Sequence, residues 1–338
     1  MTAGHGLPAD DSEAGLLTGE LRGLALSRGA VDRTAVRRVD EQWLARAWAD
    51  PGTRVLMVRD GQALVRSGPD GTELVFVPPA RAAGGIRFLL GVDADGIAYF
   101  GVAGPLLAAD EAAKEAGQGG VRPASLRQAG PLLSDRDAGL MTHAVALDNW
   151  HSVFLHCPRC GTVTEPASAG HSRRCPADGS EHFPRVDPAV IMLVTDPADR
   201  CLLARNAQWP ERRVSILAGF VEAGESAEQA VAREVHEEAG ISVGEARYVG
   251  SQPWPMPHSL MLGFRAVAVG GQEIRVDRDE IAEARWFSRD ELRVAMASGE
   301  ILLPPPVSIA RRIIESWYGA ELPDSPEIRS AGPPRRLP

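Results

Sequence analysis

The stretch GFVEAGESAEQAVAREVHEEAGI, residues 219–241, decides the reading of this chain. Ser226 is placed to N-cap a helix, and Gln229 three residues later completes a capping box. Gly240 stands where a left-handed C-terminal residue belongs. Val231 and Val235 are four apart and predict a core-facing stripe. Glu234 and Glu238 are also four apart, on another face, with Glu237 beside them. Three carboxylates within one turn repel one another. Divalent cations resolve that repulsion, and Mg2+ favours a few carboxylates plus the phosphate oxygens of a substrate. A solvated acidic face is the ordinary meaning of such a charge run. Gly219, Arg233 and Gly240 at fixed offsets argue for a cation site instead.

The rest of the 338-residue chain narrows the class. Lys plus Arg is 36 against Asp plus Glu at 45, a net charge of −9. The 219–241 stretch alone carries six Glu against one Arg, so more than half of that surplus is local. An acidic chain is not expected to hold duplex DNA through bulk charge, and phosphate substrates are expected to bind through the cations it collects. No 18-residue run is uniformly apolar and uncharged, so no membrane span is expected. The opening MTAGHGLPADDSEAGLL lacks a basic segment followed by an apolar one and does not read as a signal peptide. A cytoplasmic protein is the expectation.

Four cysteines are too few for a disulfide scaffold. Cys157 and Cys160 form a C-x2-C knuckle. Cys175 opens a second knuckle whose closing position is Asp178. Zinc takes four ligands and accepts carboxylate or imidazole in place of a thiolate. Asp178 or His182 is thus the candidate fourth ligand, with His171 more remote. Cys201, in CLLAR, reads as a buried strand residue.

Along the chain, residues 1–20 read as a disordered lead and 321–338 as a disordered, Pro-rich tail. RVLMVRDGQALVR (54–66) predicts two strands joined at Asp60-Gly61. LVFVP (74–78) and 86–102 continue the strand pattern, with a turn at Asp95-Gly96. Residues 136–156 have helical spacing, and AVIMLV opens a new strand after Pro184 and Pro188.

The 219–241 stretch fits G-x5-E-x7-R-E-U-x-E-E-x-G-U at every fixed position: Gly219, Glu225, Arg233, Glu234, Val235, Glu237, Glu238, Gly240 and Ile241. In this it resembles the Nudix hydrolases. Beyond it, SQPWPMPHS (251–259) is similar to the S-Q-P-W-P-F-P-x-S signature of the NADH pyrophosphatases, also NAD-capped RNA hydrolases, with Met256 in place of the usual Phe. Three prolines make this loop rigid, and Trp254 offers a stacking face. The cysteine knuckles, SLRQAG (125–130) and LPPPVSIARRIIE (303–315) match that family's layout, chiefly over 120–318.

This resemblance implies an α+β protein: a Nudix fold, an α/β/α sandwich with a mixed sheet, at 186–320. A zinc-ribbon-like module at 151–185 and an N-terminal degenerate Nudix-like α/β domain at 21–150 precede it. It implies cleavage of the NAD(H) pyrophosphate to NMN(H) and AMP, removal of NAD caps from RNA, and a homodimer. It assigns Mg2+ or Mn2+ to Glu234, Glu238 and Glu237 and to the Ala218 carbonyl, with Glu237 the alternative base. Glu280 is expected to add a ligand or to be an acid at a helix N-terminus. Glu225 is expected to complete the metal shell or to orient Arg233. Substrate contacts fall on Gln252, Pro253, Trp254, Pro255, Met256, Pro257, His258, Ser259, Phe183, Ala310 and Arg127. Two alternatives stand beside this one: a Nudix hydrolase for another nucleoside diphosphate such as ADP-ribose, and a catalytically silent NAD-sensing or RNA-binding module.

Overall fold

The structure, a computed structural model, describes residues 21–69, 71–82, 84–107, 120–271 and 273–323. The lead expected at 1–20 lies outside them, as does the tail expected at 321–338 beyond residue 323. The chain divides into two compact units. One comprises Leu26–Val186 with Pro253–Ser259; the other comprises Asp187–Gln252 with residues 21–25 and those from Leu260 onward.

The first unit holds β1 (Arg54–Arg59), β2 (Gln62–Gly68), β3 (Gly71–Leu74), β4 (Ile86–Val92), β5 (Ala98–Ala103) and β6 (Gly120–Ser125). Their order is β3-β2-β1-β5-β4, with β6 on β2. β1 and β5 run parallel and the other pairs antiparallel, so the sheet is mixed. Asp60 (φ 52°) and Gly61 (φ 71°) both take the left-handed conformation that a two-residue hairpin turn requires. The strand expected at 74–78 stops at Leu74. Val77 then exchanges two backbone hydrogen bonds with Val55, and Pro78 and Pro79 have no N–H with which to extend the ladder.

One face of this sheet packs Val55, Met57, Leu89 and Phe100 against Trp43, Leu44 and Trp48 of the helix Glu41–Ala49. The helix Asp135–Val153 packs against β1, β4 and β5. It begins at Ser134, whose hydroxyl accepts from the Asp137 N–H, and it buries Leu140, Met141, Leu147 and Trp150. A small sheet, β7 (Glu165–Ala167), β8 (Ser172–Arg174) and β9 (Glu181–His182), completes the unit.

The second unit holds β10 (Asp187–Thr195), β11 (Cys201–Asn206), β12 (Leu217–Phe220), β13 (Ser242–Trp254), β14 (Ser259–Val269) and β15 (Ile281–Phe287). The order is β13-β14-β10-β11-β15, with β12 on β10. Alternation along β10 builds the layers. Val190, Met192 and Val194 meet Ala230, Val231 and Val235 of the helix Ala227–Ala239. Ile191 and Leu193 meet Leu292, Ile309, Ile313 and Trp317 of the helices Arg289–Ala297 and Ile309–Tyr318. Helices thus cover both faces of one sheet, each fully buried aliphatic side chain contributing roughly 1.5–3 kcal/mol. Cys201 is buried in β11 as expected.

Candidate active site

The helix Ala227–Ala239 begins as its sequence predicts. Ser226 accepts from the Gln229 N–H at 3.2 Å, and the Gln229 side chain accepts from the Ser226 N–H at 2.9 Å. It ends on Gly240 at φ 68°. The register of β12 on β10, Val190 opposite Gly219 and Ile191 opposite Ala218, sets the strand beside this helix. A Cβ built on Gly219 would stand 1.9 Å from the Glu234 carboxyl. Glycine is required there by the carboxylate lying over it.

Arg233 organises the acids. Its Nε and Nη2 donate to the two carboxylate oxygens of Glu225, each at 2.8 Å. Its Nη1 reaches Glu234 at 2.9 Å and Glu237 at 3.0 Å, and Nη2 also donates to the Phe220 carbonyl at 2.9 Å. The guanidinium pulls the Glu225 carboxyl down to about 2. Of the two roles expected for Glu225, its carboxylate is committed to Arg233, a bidentate pairing of the stronger kind.

Glu238 has no such partner. It is 6% exposed, and its Oε2 is buried without a hydrogen-bond partner. Burial, then the charges of Glu234 and Glu280, push its carboxyl up to about 8, while the Ala218 backbone N–H bonds it and opposes the rise. Burial also raises Glu234. Glu280 therefore bears on both helix glutamates. It sits in the turn that leads into β15, which removes the reading as an acid at a helix N-terminus. Buried carboxylates with an orphaned oxygen and hard oxygen donors suit a divalent cation of the Mg2+ kind.

The second C-x2-x knuckle has the geometry of the first. The Gly161 N–H donates to the Cys157 carbonyl at 2.8 Å, and the Gly179 N–H donates to the Cys175 carbonyl at 2.9 Å. Gly161 (φ 75°) and Gly179 (φ 72°) both turn left-handed. One potential ligand atom from each of Cys157, Cys160, Cys175 and Asp178 lies within 4.8 Å of the others. Burial raises the Cys157 thiol, but hydrogen bonds from the Ser180 hydroxyl and the Arg159 N–H outweigh it and bring the thiol down to about 6. His182 points its Nε2 at the Ser180 hydroxyl, 3.0 Å away. His171 places its Nε2 2.7 Å from the Leu89 carbonyl. His182 also hydrogen-bonds the Cys157 thiol, while Asp178 is the side chain whose ligand atom groups with all three thiols.

The turn between β13 and β14 carries the Pro-rich segment. Arg127, on the short helix Leu126–Ala129, stands over the Trp254 ring at 4.8 Å. Asn149 Nδ2 donates to the Pro255 carbonyl at 2.6 Å, and the Phe154 and His258 rings meet edge to face at 6.0 Å. Pro253, Trp254, Met256 and Ser259 are half-buried, and Pro257 is exposed. Phe183 is 67% exposed.

Two expected contacts differ. Gln252 is wholly buried, with Nε2 donating to the Val307 carbonyl at 2.9 Å. Ala310 is 1% exposed in the core, and its N–H donates to the Ser308 hydroxyl that caps its helix. Both side chains are built into the fold. Asn149 and Phe154 escaped sequence reasoning because nothing local marks a partner some hundred residues away.

The comparisons with known proteins agree in layout. The NUDIX domain profile matches residues 185–303, the NADH pyrophosphatase zinc ribbon domain 154–183, and the NADH pyrophosphatase-like rudimentary NUDIX domain 52–150. The chain is 44% identical over 314 residues to the NAD-capped RNA hydrolase NudC of Mycobacterium bovis, spanning 88% of this chain and 95% of that one. Identity to the Mycobacterium tuberculosis protein of the same name is 43% over the same shares. Identity to the Homo sapiens NAD-capped RNA hydrolase NUDT12 is 42% over 197 residues, 55% of this chain and 42% of that protein. The ribbon match and the Cys157–Cys160–Cys175–Asp178 quartet together support a structural zinc.

Proposed function

The chain belongs to the NAD-capped RNA hydrolase family of the Nudix hydrolases, and from that premise we propose that it hydrolyses the pyrophosphate of NAD(H) to NMN(H) and AMP and removes NAD caps from RNA. The observation that carries this reading is the Glu234–Glu237–Glu238 cluster, whose innermost carboxyl, Glu238, has a buried oxygen with no protein partner.

Glu234, Glu237, Glu238 and the Ala218 carbonyl are the groups that would hold Mg2+ or Mn2+, with Glu280 completing the set. Bound there, a divalent cation would supply charge neutralisation for phosphate oxygens and lower the pKa of a water. The protein's own residues do the rest. Arg233 fixes the directions of Glu225, Glu234 and Glu237, so the cluster is organised before substrate arrives. Glu237 is the solvent-open member and suits acceptance of a proton from water. Water adds to one phosphorus, and the bond from the bridging oxygen to that phosphorus breaks, giving two monophosphates. Trp254, with Arg127 over one side of its ring, provides a platform for a base or nicotinamide, and exposed Phe183 offers a second ring.

Cys157, Cys160, Cys175 and Asp178 would hold a structural zinc that ties the two knuckles together. We place the domain limits at 21–150, 151–185 and 186–320. Four free cysteines suit a reducing cytoplasm. Homodimerisation is the expected assembly, since Val153, Leu155 and Val163 leave apolar surface exposed near the ribbon.

Product analysis by mass spectrometry on NADH, NAD+, ADP-ribose and NAD-capped RNA tests the reading. AMP and NMNH from NADH with Mg2+ or Mn2+ is the expected result. Absence of AMP with both ions overturns it, and faster cleavage of ADP-ribose would reassign the substrate.

A further inference from the structure

The segment Pro253–Ser259 joins two strands of the second unit's sheet, yet its contacts place it with the first unit. Its sequence explains why it needs outside support. Pro253, Pro255 and Pro257 have no N–H, so the segment has few donors with which to satisfy its own carbonyls. The Met256 N–H is already turned back onto the Trp254 carbonyl at 2.7 Å. Pro255 is a buried residue, so its carbonyl is favoured by a protein donor where solvent is partly shut out.

Asn149 answers that need. It lies on the helix Asp135–Val153, and its Nδ2 donates to the Pro255 carbonyl at 2.6 Å. Only the amide nitrogen can donate, so the chemistry fixes which way the side-chain amide points. On either side of this bond sit Arg127 over Trp254 and Phe154 against His258. Three side chains of the first unit thus hold three residues of the segment: Trp254 by a cation, Pro255 by a hydrogen bond and His258 by a ring.

We infer that Asn149 is a positioning residue for dinucleotide recognition, locking the Pro255 carbonyl so that Trp254 presents a fixed stacking face to the substrate. The inference rests on the reading that Trp254 takes a ring of the dinucleotide. A preset platform lowers the ordering cost of binding, so loss of the lock weakens binding more than it slows chemistry.

The test uses the full chain with Asn149→Asp, which keeps the shape and removes the donor, and Arg127→Gln, which frees the ring by a different route. KM and kcat are measured on NADH and on ADP-ribose, which lacks the nicotinamide, with Trp254→Ala as reference. The expected result for Asn149→Asp is a KM for NADH raised about tenfold, kcat within about twofold, and a shift in the NADH to ADP-ribose ratio in the same direction as Trp254→Ala. Arg127→Gln follows the same pattern if Asn149→Asp fails to fold. A purely structural Asn149 would lower the melting temperature and leave the KM and the substrate ratio unmoved. Unchanged KM in both variants, beside a raised KM in Trp254→Ala, overturns the inference. Unchanged KM in Trp254→Ala overturns the assignment of the loop itself, and the inference with it.

Discussion

Glu234 lies directly over Gly219: a methyl group on that glycine would stand 1.9 Å from the carboxyl group of the glutamate. The two residues are fifteen apart in sequence and touch because β12 runs alongside the helix Ala227–Ala239. Gly219 has no positive φ that demands glycine, so the need is for space. Gly219→Ala is therefore expected to displace Glu234 and to cut kcat for NADH by about a hundredfold or more, the scale of a misplaced catalytic group. Circular dichroism is expected to stay native. Retention of kcat within threefold would refute the steric account.

Glu238→Gln separates chemistry from folding. The amide matches the carboxyl in size and has no ionised form to desolvate in the buried site. Turnover is expected to fall by several orders of magnitude while NADH binding survives. The melting temperature without added metal is expected to hold or rise. Equal loss of binding and turnover, with a lowered melting temperature, would assign Glu238 a folding role.

The quartet geometry separates Asp178 from His182. Elemental analysis is expected to find about one zinc per chain in the unaltered protein and in His182→Ala. Asp178→Ala is expected to lose zinc to a mild chelator at least tenfold faster. Prolonged chelation should lower the melting temperature of all three. A zinc-replete Asp178→Ala beside a zinc-free His182→Ala would reverse the assignment.

His151 sets an acid limit on stability. Its Nε2–H donates to the Gly170 carbonyl at 2.8 Å and its Nδ1 accepts from Arg173 at 3.1 Å, a pattern that only the neutral ring can make. Burial depresses its pKa to about 4 from an ordinary value near 6.5. A depressed histidine leaves the unfolded state holding the extra proton between those values. Its contribution is thus present above pH 6.5 and is lost as pH falls toward 4, up to roughly 3 kcal/mol. Melting temperatures from pH 7.5 down to 5 are expected to fall, and less steeply in His151→Gln, whose amide can donate to Gly170 and accept from Arg173. Parallel slopes for the two proteins would remove His151 as the cause.

Local order was legible without tertiary information. The helix Ala227–Ala239, with Ser226, Gln229 and Gly240 at its ends, and the Asp60-Gly61 hairpin depend on neighbours within a few residues, so spacing alone defines them. The box glutamates and the cysteine knuckles were legible for the same reason. What spacing left open was each choice between candidates whose separation in space is unrelated to their separation in sequence. Asp178 brings a carboxylate oxygen within 4.8 Å of the three thiol sulfurs because the second knuckle repeats the first. Glu225 turns to Arg233, Glu280 comes from a strand-entry turn to bear on Glu234 and Glu238, and Gln252 turns inward onto Val307. Asn149 finds Pro255 across 106 residues. A hydrogen bond of that kind is decided by how sheets and helices pack, and packing depends on the shapes of all the faces at once. The sequence by itself determined the chemistry available to this protein; tertiary structure decided which of those groups meet.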